Sequence, residues 1–487
     1  MKKNLVLVSF IFTTLMGGAQ SFEEFKKQQQ SEYNTFRTER EKEYEVFREK
    51  VNKEYADLMR QQWEEMKTLY ATPTPTIPEP PAPTIKDPHK VPTVSPIIFD
   101  KDVVLPTVPI TPPVPIVPIS IPQGSELSIF RFDFYGTECR TNLDESHRFT
   151  LTTIDEDAVA TMWEKLSNKK YNAMLNDCLR LRKDLNLCDW GYYKLTEKMS
   201  FSFFTAQNKN EARLLQLYIL TQSGYKVRMA RSKDDLVLLL PFNENLYEYP
   251  YVKIDGVNFY VMDAESKGNQ QYMVYKGGFP NEQIPTLSTD KKPLLSIIET
   301  TEKTFSSTKI GDEKIRVSVN ENLINYYNDF PHVDWDLYVK RSLSQGAGED
   351  LYMPLKQSIS NKTDEEAANI LIDFVQNAFE YKTDDEQFGN ERPLFADETL
   401  FYPYCDCEDR SILYAILIKE LLDLDVVLLH YPNHIATAVH FKNDVEGDFL
   451  NLNNKKFIVC DPTYINANVG EGMPQFKHTK AKVVVLN

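Results

Sequence analysis

The stretch CEDRSILYAILIKELLDLDVVLLHYPNHIA, residues 407–436, decides how this chain is read. It opens on Cys407-Glu408-Asp409-Arg410-Ser411 and then runs apolar to Leu422 with no Gly or Pro, which predicts a helix buried on most of its circumference. Val426–Leu429 is a short apolar run of strand length, Pro432-Asn433 marks a turn, and His434-Ile435-Ala436 starts a second strand. Lys456–Asp461 gives a third. A helix followed by antiparallel strands is an α+β unit.

The same order occurs upstream. Asn210-Glu211-Ala212-Arg213 opens a helix to Gln222, Tyr225–Ala230 reads as a strand, Asp235-Leu236-Val237 begins the next, and Val257–Asp263 closes the set. Cys407 to His434 is 27 positions and Lys209 to Asp235 is 26; His434 to Asp461 is 27 and Asp235 to Asp263 is 28. Two diverged copies of one α+β domain account for this agreement. A helical stretch precedes each copy. Thr363-Asp364-Glu365-Glu366 has the capping-box pattern before Ala367–Phe379, and Asp155 precedes Ala158–Leu166. The expected boundaries are 124–280 for the first copy, 281–340 for a connecting segment and 341–487 for the second copy.

N-terminal to these lie three segments of other kinds. Residues 71–123 hold 16 of the 28 prolines and cannot form helix or central strand, so they read as a stiff linker. As polyproline II at about 3.1 Å per residue, such a linker reaches on the order of 150 Å. In 20–70 the apolar positions recur every eleven residues: Phe22, Tyr33, Tyr44, Tyr55, Met66 and Phe25, Phe36, Phe47, Leu58, Leu69. That period, about 3.67 residues per turn, predicts one long amphipathic helix or coiled coil of roughly 70 Å, with self-association or a partner protein along its stripe. Lys2 and Lys3, the apolar run Leu5–Met16 and Gly17-Gly18-Ala19 have the layout of a signal peptide, residues 1–19. The apolar run is too short to span a bilayer, so no transmembrane anchor is expected once the leader is removed.

With 71 acidic and 55 basic residues the net charge is −16, which argues against a nucleic-acid partner. Six cysteines (139, 178, 188, 405, 407, 460) in 487 residues are too few for a disulfide scaffold.

The residues that suggest chemistry are Cys407, His434 and Asp461. A thiol at a helix N-terminus has its thiolate favoured by the unpaired N–H groups and the helix dipole. A His on a neighbouring strand can take and return the proton, and a carboxylate on the next strand fixes its tautomer. In the first copy the three places hold Lys209, Asp235 and Asp263, which cannot do this chemistry. A zinc site drawn from Cys405, Cys407, His430, His434 and Cys460 is the competing reading of the same residues. It is disfavoured because His430 and His434 fall on opposite sides of a turn, so no metal is expected.

At these positions the sequence resembles the transglutaminase-like superfamily, whose bacterial members carry Gly-x-Cys-x-Asp opening a helix, then a His on a strand, then Asp before Pro or Thr. Here these read Cys405-Asp406-Cys407-Glu408-Asp409, Asn433-His434-Ile435-Ala436 and Cys460-Asp461-Pro462-Thr463. The match covers residues 340–480 well and 150–270 faintly. The resemblance implies a papain-like core and thiol acyl chemistry without a cofactor. Cys407 would be the nucleophile, His434 the base and acid, Asp461 the orienting carboxylate, and Asp409 a structural position. Two departures are Cys405 where the motif has Gly and Ile435 where an aromatic often follows the His. The expectation is an exported bacterial enzyme, periplasmic or secreted, that hydrolyses amide bonds of a protein or peptide. The alternatives are a cross-linking transglutaminase and a non-catalytic cell-envelope scaffold.

Overall fold

The computed structural model describes residues 22–61, 63–75, 83–90, 93–99, 129–262, 270–311 and 314–486. The expected leader at 1–19, the greater part of the Pro-rich stretch and Asp263 lie outside these residues.

Helix α1 (Phe22–Met59) ends eleven residues short of the expected Tyr70. The chain then turns into β1 (Trp63–Lys67), which pairs antiparallel with a strand more than 200 residues away. Pairing at a sheet edge overrides the local helical tendency of Trp63-Glu64-Glu65-Met66-Lys67, and the Trp63 indole caps the turn by donating to Met59 O. The eleven-residue stripe is not the packing face: Tyr33, Phe36, Phe47 and Leu58 are exposed. The buried face is Arg48, Val51, Asn52, Tyr55, Ala56 and Met59, a 3–1–3–1–3 spacing confined to the last three turns. β2 (Thr84–Ile85) belongs to the Pro-rich stretch. Where described, that stretch is a strap along the globular part and not a free tether. Thr72 O accepts from Glu248 N, Lys86 N donates to Ile465 O, and Ile97 N donates to Phe449 O. An extended Pro-rich chain leaves its backbone groups free of internal hydrogen bonds, and here sheet-edge groups meet them.

The hairpin β3 (Ile129–Phe134) and β4 (Thr137–Asn142) leads into four helices: α2 (Glu156–Leu166), α3 (Asn172–Asp184), α4 (Asp189–Phe204) and α5 (Lys209–Gln222). Asp155 caps α2 through Ala158 N at 2.9 Å. Then come β5 (Arg228–Ser232), β6 (Asp235–Pro241), β7 (Tyr251–Ile254), β8 (Val257–Val261) and β9 (Gln271–Tyr275). With β1 at one edge they form an antiparallel sheet in the order β1-β9-β5-β6-β8-β7. The segment expected as a connector folds as β10 (Lys303–Phe305), β11 (Ile315–Val317), α6 (Glu321–Asn328) and α7 (Trp335–Lys340). It is wedged between the halves: Phe330 meets Trp190 at 6.1 Å, and Tyr327 stacks on Phe395 at 4.4 Å.

The C-terminal half begins with α8 (Gln345–Ser358) and α9 (Asp364–Asn377), the latter opened by a reciprocal capping box between Thr363 and Glu366. Short elements β12 (Glu380–Tyr381), α10 (Asp384–Gln387), α11 (Ala396–Phe401) and β13 (Tyr404–Cys405) follow. Next is α12 (Cys407–Leu422), buried at every position from Cys407 to Ile418. It packs on β14 (Asp425–Tyr431) and β15 (His434–His440), beyond which lie β16 (Phe449–Leu452), β17 (Lys455–Cys460), β18 (Tyr464–Ile465) and β19 (Lys482–Val485). The second sheet has the order β16-β17-β15-β14-β19, which repeats strand for strand the order β7-β8-β6-β5-β9 of the first. The fold mixes helices with two main antiparallel sheets, an arrangement compatible with α+β, and four two-stranded pairings complete the strands of the described residues. One continuous apolar core runs through both halves and includes Val51, Tyr55 and Met59 of α1. No helix among the described residues is long and apolar enough to cross a membrane.

Candidate functional site

Cys407 is the first residue of α12, His434 the first of β15, and Asp461 follows the last residue of β17. The turn Pro432-Asn433 sets His434 opposite Tyr431, and β15 lies between β14 and β17, so the three residues reach one end of the sheet. Ser411 fastens the helix to the strand by donating from Oγ to Ile435 O at 3.0 Å.

His434 Nε2 and Asp461 Oδ2 are 2.9 Å apart, and Asp461 Oδ1 accepts from Thr463 N at 3.0 Å, so both carboxylate oxygens are engaged. His434 Nδ1 is buried and has no hydrogen-bond partner. The imidazole stacks on Phe476 with centroids 4.9 Å apart. The Cys407 thiol does not reach His434 by a hydrogen bond; it donates to Glu408 Oε2 at 3.2 Å. Cys407 and His434 are both 0% exposed, so a substrate can enter only if part of the cover moves.

The electrostatics differ from the sequence expectation. Burial pushes the Cys407 thiol well above its ordinary value and the Asp406 charge adds to this, while the Ile435 N–H, bonded to the sulfur, works the other way. The helix terminus does not win because the thiol is wholly desolvated among carboxylates. Burial also holds Glu408 well above the usual carboxylate range and Asp406 at about 6.

The residues of the competing zinc reading do not converge. Among the described residues, no three of Cys405, Cys407, His430, His434 and Cys460 bring ligand atoms within 4.8 Å of one another. Burial pushes Cys405 and Cys460 each up to about 12, and all six cysteines are buried free thiols. His430 packs edge-on against Trp335 at 4.6 Å, and burial, reinforced by Lys482, lowers it to about 4.

In the first half, Lys209 is the first residue of α5 and Asp235 the first of β6, the places Cys407 and His434 occupy in the second. Lys209 Nζ and Asp235 Oδ1 form an ion pair at 2.5 Å, with both side chains about half exposed. They line an open cleft of about 890 Å³ with Arg213, Lys233 and Tyr272.

Sequence reasoning missed two neighbours of Cys407 and His434. Glu408 stood in the motif as an unspecified position, and only its contact with the thiol gives it a role. Phe476 carries no local signal, because a short 3₁₀ turn at Pro474–Phe476 brings it to His434 from far along the chain. No family model matches the chain, and neither a curated protein nor a solved structure matches it.

Proposed function

We propose that this chain is an exported bacterial thiol enzyme of transglutaminase-like type, periplasmic or secreted, with a papain-like core in residues 341–487. It attacks amide bonds of a protein or peptide and resolves the acyl-enzyme with water. The observation that carries the reading is His434: Nε2 is held by Asp461 while Nδ1, buried and unpartnered, stays available on the strand whose Ile435 N–H touches the Cys407 sulfur. In this mechanism His434 Nδ1 takes the thiol proton as Cys407 Sγ adds to the carbonyl carbon. The same nitrogen protonates the departing amine as the C–N bond breaks. Water then adds to the thioester, giving up a proton to His434, and the thiol is restored. The Cys407 N–H, a first-turn amide that no helix carbonyl accepts, supplies one oxyanion donor.

Residues 124–280 belong to this reading as a degenerate copy of the same unit. The shared strand order and the matching places of Lys209 with Cys407 and Asp235 with His434 support a duplication. The exposed stripe on α1 with Tyr33, Phe36 and Phe47 suits a partner protein or a second copy.

One observation favours a second reading, a non-catalytic scaffold: the thiol is buried, protonated and bonded to Glu408, not to His434. The test uses the full chain with iodoacetamide at about pH 8, followed by peptide mass spectrometry. The enzyme reading expects alkylation of Cys407 ahead of the other five cysteines, slowed roughly 10²- to 10⁴-fold in His434→Ala. Silence at Cys407 in folded protein, with all six cysteines labelled after denaturation, would favour the scaffold. Incorporation of a fluorescent primary amine into a glutamine-containing protein would move the acceptor from water to an amine.

A further inference from the structure

The first turn of α12 and the segment before α11 bring together more negative charge than the proposed triad uses. Asp384, Asp406, Glu408 and Asp409 are each 3% exposed or less. One carboxylate oxygen each from Asp384, Asp406 and Asp409 lie within 4.8 Å of one another, and so do one each from Asp384, Glu391 and Glu408. Asp384 belongs to both groups.

The surroundings neutralise little of this. Asp384 Oδ2 accepts from Arg392 N, Asp409 accepts from Leu394 N and Asp406 N, and Asp406 caps the helix. Backbone amides and the helix dipole thus account for Asp409 and for one side of Asp406. Among the described residues no Lys, Arg or His forms an ion pair with any of the four. The Arg410 guanidinium donates to the carbonyls of Gln376 and Phe379, and the Arg392 guanidinium is occupied by Glu398, Asn328 and Tyr402. Two oxygens accept from no N–H or O–H donor: Asp406 Oδ1 and Glu408 Oε1 are buried and have no hydrogen-bond partner, and the two side chains lie close enough to share a proton with each other. Burial of an ionised carboxylate oxygen with no partner is unfavourable, a penalty that a cation removes.

We propose that these carboxylates bind one structural calcium ion, bridged by Asp384, which staples the segment from Asp384 to Glu391 onto the first turn of the helix that carries Cys407. The donors are all hard oxygens, the set that suits calcium or magnesium over softer metals. A buried site that brings several carboxylates and has little room for retained water fits calcium, which accepts bidentate carboxylates, better than magnesium. Glu391, half-buried, marks the side from which the ion enters.

The proposal stands whether or not Cys407 is catalytic, and its test reads binding alone. The full chain, stripped with EDTA and dialysed, is titrated with calcium chloride up to about 5 mM by calorimetry and in thermal melts. Terbium luminescence excited through tyrosine, with Tyr381 packed on Arg410 beside the site, gives an independent signal that calcium displaces. One calcium per chain and a rise in melting temperature are expected. Asp384→Asn should weaken binding by at least roughly tenfold, while Asp385→Asn, an exposed neighbour, should leave it unchanged. If Asp384→Asn fails to fold, Glu391→Gln at the outer edge replaces it, with the same weakening expected. Absence of calcium binding by folded wild-type protein would overturn the proposal and leave shared protons as the way the cluster is neutralised. Binding that survives unweakened in Asp384→Asn, or in Glu391→Gln where that replaces it, would overturn it equally, since the ion would then lie elsewhere.

Discussion

Asp461 makes two hydrogen bonds with two oxygens, and that arrangement separates its structural role from the chemical one the proposed mechanism gives it. Asp461→Ala leaves the buried His434 ring with neither nitrogen partnered and strips Thr463 N of its acceptor. A loss of about 1–3 kcal/mol in urea denaturation is expected. Asp461→Asn keeps the size and most of the bonding, so its stability should stay closer to wild type while labelling of Cys407 slows, because an amide no longer fixes the proton on the correct nitrogen. His430 yields a prediction of the opposite kind. Burial lowers it to about 4 in the folded chain, against an ordinary value of about 6.5. The unfolded chain therefore binds the proton first as pH falls, so the stability that neutral His430 permits is fully present above about 6.5 and is lost toward about 4. His430→Phe lacks this titration, so its stability relative to wild type should rise over that window by up to about 2–3 kcal/mol, read in melts from pH 7 to pH 4. Flat relative stability would show that His430 is not buried as described. His434 and Asp461 were legible as a pair because one sits at a Pro-Asn turn and the other at a strand end, both local signals. The state of the thiol was not legible, since helix position and burial push it in opposite directions and only packing decides between them.

At the scale of elements, periodicity announced α1, but the stripe it drew is not the face that packs. Tyr55 belongs to both patterns. It is 2% exposed and meets Trp163, Tyr275 and Phe279 within 5.3 Å, while Phe36, in the companion series of the same eleven-residue repeat, is 57% exposed. Tyr55→Ala should cost about 3–5 kcal/mol, and Phe36→Ala should stay within about 0.5 kcal/mol in the isolated chain. Chemical denaturation of the two variants distinguishes a docked helix from a free rod; equal small effects would mean that α1 does not pack on the globular part. The polar residues of the docked face explain why sequence pattern pointed elsewhere. Arg48 donates to Gln222 and to the Tyr218 hydroxyl, and Asn52 accepts from Trp163 Nε1, so a core-facing stripe is written in polar letters. The end of the helix was equally hidden, because β1 exists only by virtue of an edge that β9 offers from more than 200 residues away. The sheets were more legible, since each hairpin is a local event and spacing within a hairpin survives translation into register.

For the whole molecule, the question is whether the globular part is complete without what precedes it. Residues 125–487 look from sequence like a self-sufficient unit on a tether, and the structure makes them incomplete. Val51, Tyr55 and Met59 lie in the same core as Trp163 and Tyr275, and β1 covers the edge of the first sheet. Each such side chain contributes about 1.5–3 kcal/mol by burial, so three of them approach the net stability of a typical domain, about 5–15 kcal/mol. The polar contacts of Arg48 and Asn52 and the ladder between β1 and β9 add to that. A chain beginning at residue 125 should therefore be insoluble or melt far below the full chain, with the unpaired β9 edge and the exposed aromatic patch promoting association. Residues 22–75 supplied as a separate peptide should restore solubility and raise the melting temperature with the logarithm of peptide concentration, as binding to the native state requires. A fragment 125–487 that folds and melts like the whole chain would return α1 to the status of a free appendage. It would also remove the reason to see the N-terminal helix and the Pro-rich strap as parts of one body with the two sheets.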